Sequence, residues 1–302
     1  VGTGGKQGVC NTILALVNPG DEVIIPAPYW VSYPQMTKLA GGTPVIVRAG
    51  FEQDFKMTAE QLEAVITPKT KMLILCSPSN PTGSVYSQEE LNALAEVILK
   101  HEDIFVLSDE IYEHINYVGK AASIASYPGM KERTIICNGV SKAYAMTGWR
   151  LGWVAAPAWI VKGINKLQGQ YTSGTCDVSQ KAAVAAYVAS QDCVEQMRVA
   201  FERRRDLIVK LAKDIPGLEV NVPQGAFYLF PKCSSFFGKS DGETVINNST
   251  DFAMYILEKA HVATVGGDAF GDPDCFRMSY ATSDDNIREA MRRIKEVLAV
   301  LK

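Results

Sequence analysis

Apolar residues along this chain come mostly in short, unbroken runs. DEVIIPA (21–27), TPVIV (43–47), KMLILCSP (71–78), DIFVLSD (103–109), RTIICN (133–138) and LGWVAAP (151–157) are rich in β-branched residues and do not alternate with polar ones. That is the pattern of strands covered on both faces rather than one. Between the runs the apolar spacing becomes helical. One helix is predicted over 6–17, stopped by Asn18-Pro19-Gly20, and another over 88–100, opened by the capping box Ser87 to Glu90. Strands alternating with helices predict an α/β fold, a mostly parallel sheet sandwiched by helices.

After Pro157 the texture changes. A long helical region is predicted from Trp159 to about Leu211, and GLEVNVPQGAFYLFPK (217–232) predicts a pair of strands. A further strand follows in CFRMSYA (275–281), then an amphipathic helix over 285–302. The change predicts a large domain over 1–205 and a smaller α+β domain over 206–302.

Composition narrows the function classes. With 302 residues, 47% of them hydrophobic and 21% charged, the chain has an ordinary globular make-up and length for one large and one small core. A formal net charge of -3 gives no electrostatic reason to expect nucleic acid or an anionic membrane. The tightest basic run, Arg203 to Arg205, sits in a charged helical stretch and reads as a solvated face. Seven cysteines stand isolated, none spaced C-x-x-C, which suits reduced thiols rather than disulfides or zinc. The three histidines are far apart, which gives metal chemistry little support. The chain begins at Val1 rather than Met, so targeting is unreadable and an N-terminal segment is expected to precede it.

The opening VGTGGKQ (1–7) sets a glycine cluster and a lysine at the start of a helix, as a phosphate loop would. As a nucleotide P-loop it fails, because Gln7 stands where the motif needs Ser or Thr. In open α/β sheets ligands sit beyond the carboxyl ends of the strands. Three predicted strands run into SPSNPTG (77–83), SDEIY (108–112) and NGVSKAYAMTGWR (138–150). Singly these read as a turn, a helix start and a surface lysine. Together they put an amide, a carboxylate, a phenol, a lysine and an arginine along one sheet edge. GVSKA (139–143) also fits a loose nucleophile elbow, with Ser141, Asp251 and His261 in the chain order of a hydrolase triad.

The ordered set GGKQ, PGDEVIIPAPYWVSYP, SPSNPTG, SDEIYEH, SKAYAMTGWRLGW, GAFY and RMSYATS covers essentially the whole chain. It resembles the class I/II, fold-type I aminotransferases that depend on pyridoxal 5′-phosphate. The resemblance is greatest to the aspartate aminotransferase-like subgroup of bacterial aspartate aminotransferases and plant plastid glutamate/aspartate–prephenate aminotransferases. It implies that Lys142 bonds the cofactor as a Schiff base and moves a proton, with Asp109 against the pyridine nitrogen to keep it protonated. Asn80 and Tyr112 would hydrogen-bond the ring's 3′ oxygen, and Trp30 would stack on the ring. Arg150 would grip the phosphate beside the loop of Gly5, Lys6 and Gln7, and Arg277 would take the substrate α-carboxylate, both through arginine's planar fork.

The implied catalytic set is thus Lys142, Asp109 and Tyr112, with Lys6, Trp30, Asn80 and Arg277 bordering the substrate. Lys6 resembles the residue that receives the distal carboxylate of dicarboxylic substrates. Without such a partner, a cation in a helix's first turn is disfavoured by roughly 0.3–1 kcal/mol. Many relatives carry a serine three residues before the lysine; this chain has Gly139, a departure that the subgroup it resembles tolerates. The implied reaction is a ping-pong transfer of an amino group between an amino acid (aspartate or glutamate) and a 2-oxo acid (2-oxoglutarate, oxaloacetate or prephenate). The implied partners are these small molecules and a second copy in a homodimer, with no nucleic acid, membrane or metal, in the cytoplasm or plastid stroma. GQYTSG (169–174) matches a segment that reaches toward the partner's cofactor. A lyase of the same fold, a serine hydrolase and a non-catalytic ligand-binding relative remain as alternatives.

Overall fold

A computed structural model describes residues 1–302. Its central sheet has six strands: β1 (Glu22–Ala27), β2 (Thr43–Arg48), β3 (Thr70–Cys76), β4 (Phe105–Asp109), β5 (Thr134–Gly139) and β6 (Gly152–Ala155). The spatial order is β2-β1-β3-β4-β5-β6. The first five are parallel and β6 runs antiparallel to β5.

The unbroken apolar runs are explained by two cores, one on each face. On one face Val9 and Ile13 of α1 (Gly5–Leu16) pack with Ile25, Met72, Ile74 and Ile135. On the other Leu91, Leu94 and Ile98 of α4 (Gln88–Leu99) pack with Ile24, Leu73, Leu75 and Val106. Adjacent residues such as Ile24 and Ile25 therefore bury into different layers. The edge strand β2 departs from the expected two-sided cover, because only Val47 is buried along it. The predicted capping box exists: Ser87 Oγ accepts from the Glu90 amide, and Glu90 accepts from the Ser87 amide. Two shorter helices complete the layers, α2 (Ser32–Leu39) beside α1 and α3 (Ala59–Val65) beside α4.

The long helical region is three helices, α5 (Ala158–Tyr171), α6 (Asp177–Val188) and α7 (Asp192–Lys213). Residue 205 lies inside α7, whose Phe201, Ile208 and Val209 all enter the C-terminal core, as do Tyr112 and Ile115 from the large sheet's side. The expected strand pair over 217–232 does not form; besides Tyr228–Leu229 (β7) the stretch makes only isolated bridges, Glu219 to Lys232 within it, and Gly225 to Asn116 and Lys232 to Cys275 with other segments. Proline at 223 and 231 removes two ladder donors. The remaining backbone groups bond elsewhere: Tyr117 N–H to Gln224, Ala226 N–H to Ile115, and the Gln224 and Gly225 N–H groups to Gly83. This stretch is thereby tied to the SPSNPTG loop.

β7, β8 (Val265–Gly266) and β9 (Phe276–Ser279) form a small antiparallel sheet with β9 central. It packs with α7, α8 (Ser249–Tyr255) and α9 (Asp284–Leu298). α9 buries Ile287, Met291, Ile294 and Leu298 along one stripe, as its sequence predicts.

Candidate active site

The carboxyl ends of the parallel strands converge because their registers are in step: Cys76 pairs with Asp109, and Asp109 with Cys137. The chain leaves β1 into Trp30 and Tyr33, β3 into Asn80, β4 into Tyr112, and β5 into Ser141 and Lys142. Arg150 precedes β6, and Arg277 comes across from β9. All of these line one cavity of about 440 Å³, together with Gly5 and Lys6 at the start of α1.

One part of the cavity is built for an anion. α1 has Gly4 as its N-cap, so no side chain caps it, and it has no acidic residue in its first turn. Its first N–H groups have no intrahelical partner, and the helix dipole adds positive potential there. Gly4 has φ 85°, and a Cβ on it would run into the Arg150 guanidinium. That guanidinium donates to the carbonyl of Thr147 at 2.8 Å and has further donors free. Two glycines press the loop onto the sheet. A Cβ on Gly152 would collide with the Gly4–Gly5 backbone, and one on Gly139 would lie 2.7 Å from Gly152 Cα and 2.8 Å from the Leu151 oxygen. The departure at Gly139 therefore has a packing reason: a serine has no room there.

A buried acid stands elsewhere in the same cavity. Asp109 accepts from the Tyr33 hydroxyl at 2.7 Å and from the Ile111 amide at 3.3 Å. Burial pushes its carboxyl above the usual range, while these two donors and Lys142 pull it back. Burial also pushes the Tyr33 phenol well up, reinforced by Asp109, so Tyr33 stays protonated and donates. A carboxylate so enclosed calls for a cationic partner. The Lys142 ammonium is held below the ordinary lysine value by burial, opposed by Asp109 and assisted by Arg277 and Arg150. A lysine held toward its free-amine form is a nucleophile and a base.

The third group binds carboxylates. Arg277 donates to Asn80 Oδ1 at 2.9 Å, and its guanidinium lies against the rings of Tyr228 (4.6 Å) and Phe270 (4.8 Å). Its remaining N–H groups suit bidentate capture of a carboxylate. Lys6 Nζ lies 4.9 Å from the Trp30 ring centroid, which puts a second cation at the mouth.

The sequence-derived set is therefore assembled, apart from Gln7. Gln7 faces away from the cavity, accepting from the Thr3 amide at 2.6 Å and donating to Thr172 at 3.0 Å. Tyr33, Cys76, Thr147 and Tyr228 also line the cavity and were not singled out from sequence. Tyr33 and Tyr228 do lie inside quoted motifs, PYWVSY and GAFY, but nothing in a motif says which aromatic ring faces a ligand. The hydrolase triad is not formed. Asp251 accepts from Asn247, His261 sits in a left-handed turn, and no hydrogen bond joins either to Ser141.

Comparison with known proteins agrees with this geometry. The family model for aminotransferase class I and II matches residues 1–294. The chain is 50% identical over 307 residues to a Petunia hybrida protein named bifunctional aspartate aminotransferase and glutamate/aspartate-prephenate aminotransferase. It is 49% identical over 304 residues to the aspartate/prephenate aminotransferase of Cereibacter sphaeroides. All of this chain is covered in both cases, and it spans 64% of the first relative's length and 76% of the second's. Among solved structures, the aspartate aminotransferase from Rhizobium meliloti superimposes with a TM-score of 0.97 at 44% identity, covering 100% of this chain and 76% of that one. An aromatic aminotransferase from Pyrococcus horikoshii gives 0.91 at 40% identity, covering 98% of this chain and 78% of that one.

Proposed function

The chain belongs to the class I and II aminotransferases, and on that premise we propose that it moves an amino group between an amino acid and a 2-oxo acid, using pyridoxal 5′-phosphate. Aspartate or glutamate is the donor proposed, with oxaloacetate, 2-oxoglutarate or prephenate as the acceptor. The observation that carries the reading is the coincidence, in one cavity, of a lysine depressed by burial, a buried carboxylate and two arginines on different elements.

The residues present fit the cofactor. The uncapped α1 N-terminus and Arg150 would hold its phosphate, and Asp109 its pyridine nitrogen. Tyr112 and Asn80 would reach its ring oxygen, and Trp30 its face. When bound, pyridoxal phosphate supplies an aldehyde that captures an amino group and a ring that accepts the electrons left when the Cα proton departs. The chain's own part follows from its charges. Lys142 in its amine form takes the Cα proton and returns it, and burial, which lowers its proton affinity, favours that amine form. The hydrogen bonds that Tyr33 and the Ile111 amide donate to Asp109 favour its ionised form against the burial that raises its proton affinity. Arg277 orients the substrate by its α-carboxylate, with Asn80 fixing the guanidinium. Lys6 meets a distal carboxylate. The proposal extends to a homodimer and to a large and a small domain dividing near residue 205.

The test is a pair of variants measured with a panel of amino acids and 2-oxo acids. Lys142→Ala is expected to abolish single-turnover conversion of bound pyridoxal to pyridoxamine phosphate. Lys6→Ala is expected to raise KM for aspartate and glutamate by about tenfold, the scale of one charge-assisted contact, and to leave aromatic donors little changed. Steady-state transamination by Lys142→Ala would refute the assignment, and equal losses across donors would refute the role of Lys6.

A further inference from the structure

Tyr112 does not stand alone in the cavity. Its hydroxyl oxygen is 3.0 Å from that of Tyr228, and either could be the donor. Both side chains are buried. A phenol has one proton, so only one of the two hydroxyls can donate into the shared bond. The other proton is left for a different acceptor. Which tyrosine gives and which receives therefore decides what Tyr112 can offer to a ligand.

The neighbours of the two rings differ. The Arg277 guanidinium lies 4.6 Å from the Tyr228 ring centroid and is permanently charged. A cation against a phenol draws electron density from it and makes its O–H the stronger donor. The cation nearest Tyr112 is Lys142, at 5.6 Å from its ring, and burial moves that lysine toward its neutral form. The asymmetry favours donation from Tyr228 to Tyr112.

We propose that Tyr228 is a positioning residue: polarised by Arg277, it donates to Tyr112 and so directs the Tyr112 hydroxyl proton into the cavity. This rests on the reading that Tyr112 hydrogen-bonds the ring oxygen of bound pyridoxal phosphate. A Tyr112 that is already accepting a hydrogen bond is a better donor in turn. The ring oxygen's negative charge is then stabilised, and the proton affinity at the Lys142 nitrogen falls. Tyr228 thus acts on the cofactor through Tyr112 without touching the reacting atoms. A packing role alone would look different. Tyr112, Phe227 and Tyr228 form an aromatic cluster with centroids 4.7 to 5.9 Å apart, and a phenylalanine at 228 would preserve it.

The experiment is a double-mutant cycle on the pyridoxal-phosphate-loaded protein, read as the pH midpoint of the bound cofactor's absorbance change. Tyr112→Phe and Tyr228→Phe are each expected to raise the midpoint, by about one unit for Tyr112→Phe and less for Tyr228→Phe. The double variant is expected to match Tyr112→Phe alone. Tyr228→His, which retains a ring and an N–H donor, is expected to stay within about half a unit of the unaltered protein and serves if Tyr228→Phe does not fold. An unmoved midpoint in Tyr228→Phe, or a shift that persists in the Tyr112→Phe background, overturns the proposal and leaves the role of Tyr112 standing. An unmoved midpoint in Tyr112→Phe overturns that underlying role, and the proposal falls with it.

Discussion

Three side chains set the chemistry of the cavity, and each is tuned by a neighbour. Asp109 is buried, and the one side-chain hydroxyl that bonds it is Tyr33. Tyr33→Phe removes a hydrogen bond to a charged group, a loss of about 1.5–3 kcal/mol. We expect the apo-protein's affinity for pyridoxal phosphate to fall at least tenfold and its thermal midpoint to drop by several degrees, as checked by fluorescence titration and calorimetry. Lys142 gives a pH-dependent prediction. Its folded proton affinity lies below the ordinary lysine value because of burial. Between the folded value and about 10.4 the unfolded chain binds more protons, so stability of the apo-protein rises with pH across that window. Below the window both states are protonated and the burial penalty is present in full. Lys142→Met should therefore be more stable than the unaltered apo-protein at pH near 7, with the difference closing toward pH 10.5, as read by urea unfolding. A difference independent of pH would mean that the lysine's charge is not the cause.

At the scale of elements, the site depends on how closely α1, β5 and β6 approach. Gly139 at the end of β5 and Gly152 at the start of β6 leave no space for a side chain between them and the loop that opens α1. Gly139→Ser would supply the hydroxyl many relatives carry, yet its Cβ would press on Gly152 and Leu151. The expected result is a destabilisation of about 1–3 kcal/mol in denaturant unfolding, with weaker rather than stronger phosphate binding. Tighter cofactor binding by Gly139→Ser would show that the loop can shift to admit the side chain.

Over the whole molecule, the C-terminal core shares the cavity with the large sheet, and specific contacts hold the two together. The Tyr29 amide donates to Phe270, and Asn221 donates to Phe51 and Asp54. Arg48, at the end of edge strand β2, reaches the buried Asp272 at 3.0 Å and the more exposed Asp274 at 2.5 Å. Arg48→Ala leaves a buried carboxylate without its cation and is expected to cost about 1–3 kcal/mol, toward the low end because the arginine is half-exposed. Asp274→Asn, which keeps the buried pair, should cost less in the same urea unfolding, and the Arg48→Ala loss should shrink in high salt. Equal costs would assign the contact to Asp274 instead.

The sequence by itself determined the layered α/β plan, because the central parallel strands are apolar at successive positions, as burial on both faces requires; the edge strand β2 carries the same pattern without that cover. It determined the α4 start, through a capping box that needs four adjacent residues, and it marked Lys142, Asp109, Asn80, Arg150 and Arg277 through short motifs in a fixed order. Tertiary structure alone decided what lies between distant segments. The 217–232 stretch reads as two strands by its residues, yet its backbone groups are taken by residues 83 and 115. Gln7 is in the glycine motif but turns toward Thr172, 165 positions away. Tyr33 and Tyr228 are ordinary aromatic positions in sequence. They become part of the site because chain crossings bring each hydroxyl within 3.0 Å or less of a group 76 or 116 positions distant. Local patterning fixes which face of an element is buried; only the packed fold fixes which polar atom meets which.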